Sequence, residues 1–177
     1  NLCRKCPKRS SRLQPLAGQG KHHKTDVFFI SEPPTAEEDR CGYYLPEQSG
    51  ILMSAMLKSA DLSDHYYLTG LLKCHSMELF LTGEDEIQQC FAFLASQIKL
   101  LKPKLLVSLG RIPAQFLLHS KQSFNELTNQ LHQVDIEGEN YPLIVTCHPG
   151  FLLRNPQYKK QSLNDLIKIK QLISRRL

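Results

Sequence analysis

The sequence predicts an α/β fold in which a parallel sheet is covered by helices on both faces. Short apolar runs of strand length alternate along the chain with segments whose apolar residues recur every three or four positions. One run, at 104–110, is apolar almost throughout and ends in glycine, as a strand buried on both faces does. The strongest helical segment, at 84–101, lies between two such runs, the arrangement of a crossover joining parallel strands.

In chain order, residues 1–25 read as irregular, with Pro7, Pro15, Gly18 and Gly20 as breakers. Residues 26–31 (Asp-Val-Phe-Phe-Ile-Ser) form a buried strand stopped by Pro33 and Pro34. A helix follows at 49–60 on the spacing of Ile51, Leu52, Met56 and Leu57, and a second strand covers 65–73. The helix at 84–101 carries Ile87, Cys90, Phe91, Leu94, Ile98 and Leu101 on one face, with acids in its first turn. After the strand at 104–110 come a helix with Ile112, Phe116 and Leu117 and a fourth strand at 141–147. A last helix at 162–177 carries Leu163, Leu166, Ile167, Ile169, Leu172 and Ile173. The expectation is one domain over 1–177. Sites in such folds gather beyond the carboxyl ends of the strands, which places 31–39, 70–76, Gly110 and 148–154 on the functional rim.

At 177 residues, 41% hydrophobic and 22% charged, the composition is that of a globular chain long enough to bury a core without staples. The run at 105–109 is too short to cross a bilayer, so no membrane partner is expected. The first 25 residues hold seven Lys or Arg and no apolar stretch, which argues against a secretion signal and for a cytoplasmic protein. Net charge is +5, with Arg4, Lys5, Lys8, Arg9, Arg12, Lys21 and Lys24 crowded at the start and Arg175 and Arg176 at the end. Acids cluster at Glu37, Glu38 and Asp39 and at Glu84, Asp85 and Glu86. The basic segment fits weak, salt-sensitive binding of nucleic acid, and equally a merely solvated surface.

Six cysteines without a secretory signal argue against a disulfide framework. Two residues separate Cys3 from Cys6 in a polar segment that could not bury them as core, and fifteen residues separate Cys74 from Cys90. A close pair joined by two later thiols can build one tetrahedral sulfur site, for zinc or an iron–sulfur cluster. Cys41 and Cys147 lie outside that pattern. Glu32, just past a strand and followed by two prolines, and His148, ending another strand and followed by Pro149, are the candidate acid–base pair. A carboxylate and an imidazole converging over a sheet can orient water and stabilise a developing negative charge.

The segments 31–39 (Ser-Glu-Pro-Pro-Thr-Ala-Glu-Glu-Asp), 68–74 (Leu-Thr-Gly-Leu-Leu-Lys-Cys), 106–110 (Leu-Val-Ser-Leu-Gly) and 148–154 (His-Pro-Gly-Phe-Leu-Leu-Arg) occur in order with the four cysteines. Together they resemble the iron–sulfur uracil-DNA glycosylases of family 4, over nearly the whole chain. The resemblance implies a three-layer α/β/α sandwich with a four-stranded parallel sheet. It also implies a 4Fe-4S cluster on Cys3, Cys6, Cys74 and Cys90, with zinc the lesser alternative. Glu32 would orient water, His148 would stabilise the leaving base, and Leu152 and Arg154 would face DNA.

The chain departs from that pattern at the base pocket. Leu45 stands where the family has the Phe that stacks on the flipped base, and Gly70 where it has the Asn that reads the uracil edge. Pro34 and Thr35 narrow the first loop, and Leu79 and Phe80 replace a polar Asn-Arg. Losing stacker and reader together costs roughly 3–5 kcal/mol of transition-state binding, two to four decades in rate. The resulting expectation is a non-catalytic scaffold of DNA replication or repair, with a replication or repair protein as its partner. The precedent is the psi subunit of the DNA polymerase III clamp loader, and Leu79, Phe80 and Leu81 would be the partner contacts. The alternative is an active glycosylase excising uracil or another damaged base. A zinc-bound nucleic-acid module is a third reading.

Overall fold

The computed structural model describes residues 3, 5, 6, 12–75 and 84–174. Among them are six strands: β1 (Gln19–Gly20), β2 (Val27–Ser31), β3 (Tyr66–Gly70), β4 (Leu105–Leu109), β5 (Leu131–Ile136) and β6 (Glu139–Thr146). Seven α-helices accompany them: α1 (Ala36–Cys41), α2 (Glu47–Ser59), α3 (Glu84–Leu101), α4 (Arg111–Leu117), α5 (Phe124–Leu127), α6 (Pro149–Arg154) and α7 (Lys159–Ser174). The strands form one sheet in the order β1-β3-β2-β4-β6-β5.

The four strands expected from the sequence are the parallel centre, β3-β2-β4-β6. The sheet is nevertheless six-stranded and mixed, because β1 and β5 add antiparallel edges. Neither edge announces itself by hydrophobicity. β1 is two residues long in a glycine-containing segment, and β5 has only Val134 and Ile136 buried. An edge strand gains its hydrogen bonds from a neighbour without needing an apolar run of its own.

Side-chain alternation divides the core into two layers. Val27, Phe29, Leu105, Val107 and Leu109 pack with Met53, Met56 and Leu57 of α2 and Leu166, Ile169 and Ile173 of α7. Phe28, Ile30 and Leu106 face the other way, against Ile87, Leu94, Ala95 and Ile98 of α3 and Leu117 of α4. Consecutive residues of β2 are thus buried on opposite faces, as a strand between two helical layers must be.

The helix α1, absent from the sequence reading, is set by a reciprocal cap. Thr35 Oγ1 accepts from the Glu38 N–H at 3.2 Å, and Glu38 Oε2 accepts from the Thr35 N–H at 2.8 Å. Two of the three clustered acids, Glu38 and Asp39, are therefore interior. Glu38 also accepts the Leu45 N–H at 2.8 Å, and Asp39 accepts those of Leu13 at 2.7 Å and Gln14 at 3.0 Å. Leu79, Phe80 and Leu81, the expected partner contacts, lie outside the described residues, as do Arg4, Lys8, Arg9, Arg175 and Arg176. Among the described residues no helix is long and apolar enough to cross a membrane.

Candidate functional site

The ends of β2, β4 and β6 open onto a cleft of about 340 Å³ lined by Glu32, Gly110, Arg111, Phe124, Cys147, His148, Phe151 and Arg154. Glu32 and His148, separated by most of the sequence, share it because β2 and β6 flank β4 in the sheet.

Glu32 follows β2 and accepts hydrogen bonds from the backbone N–H groups of Ile112 and Arg111, at the start of α4. Gly110 makes this approach possible. Its φ of +101° is one that side chains resist, and a Cβ there would stand 2.6 Å from Glu32 Oε1. Burial raises the carboxyl's pKa, opposed by the two N–H groups and by the charges of Arg111 and Arg154.

His148 is the N-cap of α6, and its Nδ1 accepts the Gly150 N–H at 3.1 Å. The ring's proton is thereby assigned to Nε2, which lies 3.0 Å from Ser31 Oγ and donates to it. Burial, with the charge of Arg154 adding, lowers the imidazolium pKa to about 4. At neutral pH the site therefore holds a neutral imidazole with its N–H pointing toward the end of β2.

The two expected base-pocket residues are elsewhere. Leu45 is only 4% exposed and belongs to the core on the α2 side, with its main chain in the left-handed region at φ 54°. Gly70 ends β3 beside Ser31, but the space a side chain would need is taken. A Cβ there would meet Leu72 O at 2.6 Å and the hydroxyl of Tyr44 at 2.8 Å. Tyr44 is buried, and its hydroxyl lies within hydrogen-bonding distance of the carbonyls of Leu16 (3.1 Å) and Leu72 (3.2 Å). Leu152, expected to face DNA, is 1% exposed and packs in the core, whereas Arg154 lines the cleft. Arg111 and Phe124 were missed as cleft residues, and Phe151 was placed on the rim only as part of 148–154, with no role of its own. The signal for Arg111 was its place after the glycine ending β4, and for Phe151 its place one helical turn after His148.

The thiols occupy a second site. Cys3, Cys6, Cys74 and Cys90 all line one cavity of about 400 Å³, with Arg12, Lys73 and Phe93 among its other walls. Cys147 lines the cleft instead, and Cys41 is exposed at the end of α1. Among the described residues no three His, Cys, Asp or Glu side chains are drawn together as a closed single-metal site. Burial pushes the Cys74 and Cys90 thiols up; Arg12 opposes it at Cys74, and the backbone N–H of Lys73, more than its side-chain charge, opposes it at Cys90. Arg12 donates to Cys74 Sγ at 2.9 Å and to the Cys3 carbonyl at 3.0 Å. The Lys73 side chain is buried, which lowers its pKa to about 7, and its Nζ donates to Thr69 Oγ1 at 2.6 Å and the Gly70 carbonyl at 3.0 Å. Four free thiols on one cavity, with the Arg12 guanidinium donating to Cys74, form a donor set that fits a thiolate-held group. Arg12 and Lys73 line this cavity, and Lys5, itself exposed, lies 4.8 Å over the Phe93 ring.

Comparison with known proteins agrees with this architecture. The Uracil DNA glycosylase superfamily profile matches residues 17–167. An Archaeoglobus fulgidus protein named Type-4 uracil-DNA glycosylase is 27% identical over 98% of this chain and 89% of its own length. Proteins of the same name from Pyrobaculum aerophilum and Sulfurisphaera tokodaii are 27% and 29% identical, over 93% and 96% of this chain and 86% and 80% of their own lengths. With its family profile spanning the whole sheet and the cleft at its carboxyl edge, the chain belongs to the uracil-DNA glycosylase superfamily.

Proposed function

We propose that this protein is a DNA glycosylase that hydrolyses the N-glycosidic bond of a damaged base other than plain uracil. The observation that carries the reading is the placement of Glu32 and His148 on one cleft with complementary electrostatics. The Glu32 carboxylate, held by two backbone N–H groups, orients water toward the sugar carbon and offsets the positive charge that grows there. As the carbon–nitrogen bond breaks, its electron pair passes to the base. The His148 Nε2–H, released from Ser31, donates to the base oxygen on which negative charge collects. A neutral imidazole suits this role because it stabilises the anion without giving up its proton. Water completes the sugar product, and the departing base takes up a proton from solvent.

Uracil is disfavoured because Tyr44 fills the place of an edge-reading side chain at Gly70 and Leu45 is core. Cys3, Cys6, Cys74 and Cys90 would hold a 4Fe-4S cluster, the arrangement expected of the named relatives' family. A lone zinc needs four sulfurs about 2.3 Å from one centre, a much tighter grouping than the walls of a 400 Å³ cavity. Bound there, the cluster would tie the segment around Cys3 and Cys6 to the end of β3 and to α3.

The test is release of base from single-stranded oligonucleotides carrying uracil, hypoxanthine or xanthine, read as abasic sites. The expected result is release of at least one deaminated purine, faster than uracil, and lowered about 10²–10⁴-fold by Glu32→Ala. A protein with its cluster intact that releases no base would favour a second reading. In that reading the fold is a non-catalytic scaffold bound to a replication or repair subunit, in the manner of the clamp-loader psi subunit. The filled space beside Gly70 is the observation in its favour. Co-purification with replication proteins would support it.

A further inference from the structure

We infer that Phe151 is the stacking platform of this cleft and that Arg111 contacts the DNA backbone, so that the cleft takes one nucleotide unit of a single strand. The inference rests on the glycosylase reading of the same cleft and adds how the base is held. Phe151 is the third residue of α6 and lines the cleft with His148 one turn before it. Tyr158 supports the ring from outside the cleft, with centroids 5.4 Å apart and planes at 50°. Phe124 presents a second ring from the start of α5.

The charged groups point to the same occupant. Arg111 and Arg154 both line the cleft, and among the described residues neither is held in an ion pair. Glu32 is the one carboxylate on that wall, and His148 is neutral at pH 7, so the cleft carries an excess positive charge. A simple anion would make no use of two phenylalanine rings, and an apolar ligand would leave two guanidiniums unused. A nucleotide unit satisfies both, with its phosphate toward Arg111 and its base against Phe151. With Leu45 in the core, the aromatic surface of the cleft comes instead from α6.

The test compares binding of two strands of equal length. One is abasic throughout; the other carries a single hypoxanthine. The cluster-loaded protein is titrated by fluorescence anisotropy over a range of salt. Wild type is expected to prefer the base-bearing strand by about 5- to 150-fold. Phe151→Ala and Phe151→Leu remove that preference without altering the salt dependence, and Phe151→Tyr keeps it. The leucine variant retains packing bulk, so a shared loss is not a folding defect. Arg111→Gln lowers affinity for both strands and reduces the slope of log K against log salt by about 0.7, the value for one phosphate contact on a single strand. Equal binding of the two strands by wild type, or a preference that survives both Phe151→Ala and Phe151→Leu, overturns the inference. Base release without a stacking preference would sink this inference alone. A stacking preference without base release would sink the catalytic reading alone.

Discussion

The cleft and the thiol cavity differ in how complete they are without a ligand. In the cleft each reacting group already has a partner from the chain. Two backbone N–H groups hold Glu32, and Gly150 and Ser31 hold the two nitrogens of His148. In the cavity four free thiols share a wall, and burial opposes the ionisation of Cys74 and Cys90, with Arg12 and Lys73 favouring it. The first site is preorganised by secondary structure, since α4 and α6 both begin at the strand ends. On the reading proposed above, the second would be completed by the group that four thiolates hold.

The largest effect that sharpens this contrast should come from the cavity. Cys74→Ser or Cys90→Ser is expected to remove the visible chromophore of anaerobically prepared protein and to cost about 3–5 kcal/mol, lowering Tm by roughly 10 °C or more. Calorimetry and absorbance check it together. A colourless protein whose Tm equals that of wild type would show the cavity to be as self-sufficient as the cleft.

Next in size is a pH effect from His148. Its pKa falls from 6.5 to about 4 on folding, so the unfolded chain binds the extra proton first as pH drops. Stability contributed by the neutral ring is full above pH 6.5 and is lost progressively down to about pH 4, by about 3 kcal/mol at most. Glu32 acts with the opposite sign. Its raised pKa means that protonation in the folded state returns stability as pH falls through that value. His148→Gln should therefore flatten the loss between pH 6.5 and 4 in denaturant titrations. A slope unchanged by the substitution would refute the depressed imidazole.

A smaller cost is expected of Gly110→Ala. The added methyl meets Glu32 Oε1 in a backbone conformation that alanine resists, at about 1–3 kcal/mol. Base release should drop with it, because the carboxylate is pushed from the α4 amides. Retained stability and activity would mean that Glu32 is free to reposition. The smallest change is Tyr44→Phe, which leaves the Leu16 and Leu72 carbonyls without the hydroxyl and should cost about 1 kcal/mol by chemical denaturation. A neutral result would indicate that the ring alone closes the space beside Gly70.

The four central strands and the long helices were legible because burial on both sheet faces writes itself into continuous apolar runs and three-to-four spacing. The rim was legible for the same reason: Glu32 and His148 follow strand ends, and parallel strands bring their carboxyl ends to one edge. The short elements were not legible. α1 depends on a cap between Thr35 and Glu38, and β5 on pairing with β6, neither of which has a hydrophobic period. Arg111 was passed over because a charge after a glycine is common in any sequence, and Phe151, inside the rim segment 148–154, has no local signal that its ring rather than a neighbour's side chain faces the cleft.

What the sequence determined by itself is therefore the layered α/β architecture, the edge that carries the site and the four thiols that stand apart from Cys41 and Cys147. Each follows from residue type and spacing, which are local. Only the tertiary structure decided that Tyr44 occupies the space beside Gly70, that Leu45 and Leu152 are core, that Asp39 is interior and that Arg111 and Phe124 line the cleft. Those outcomes depend on which of several apolar or polar side chains reaches a given volume first. That competition is settled by packing between segments distant in the chain, and no local pattern records its result.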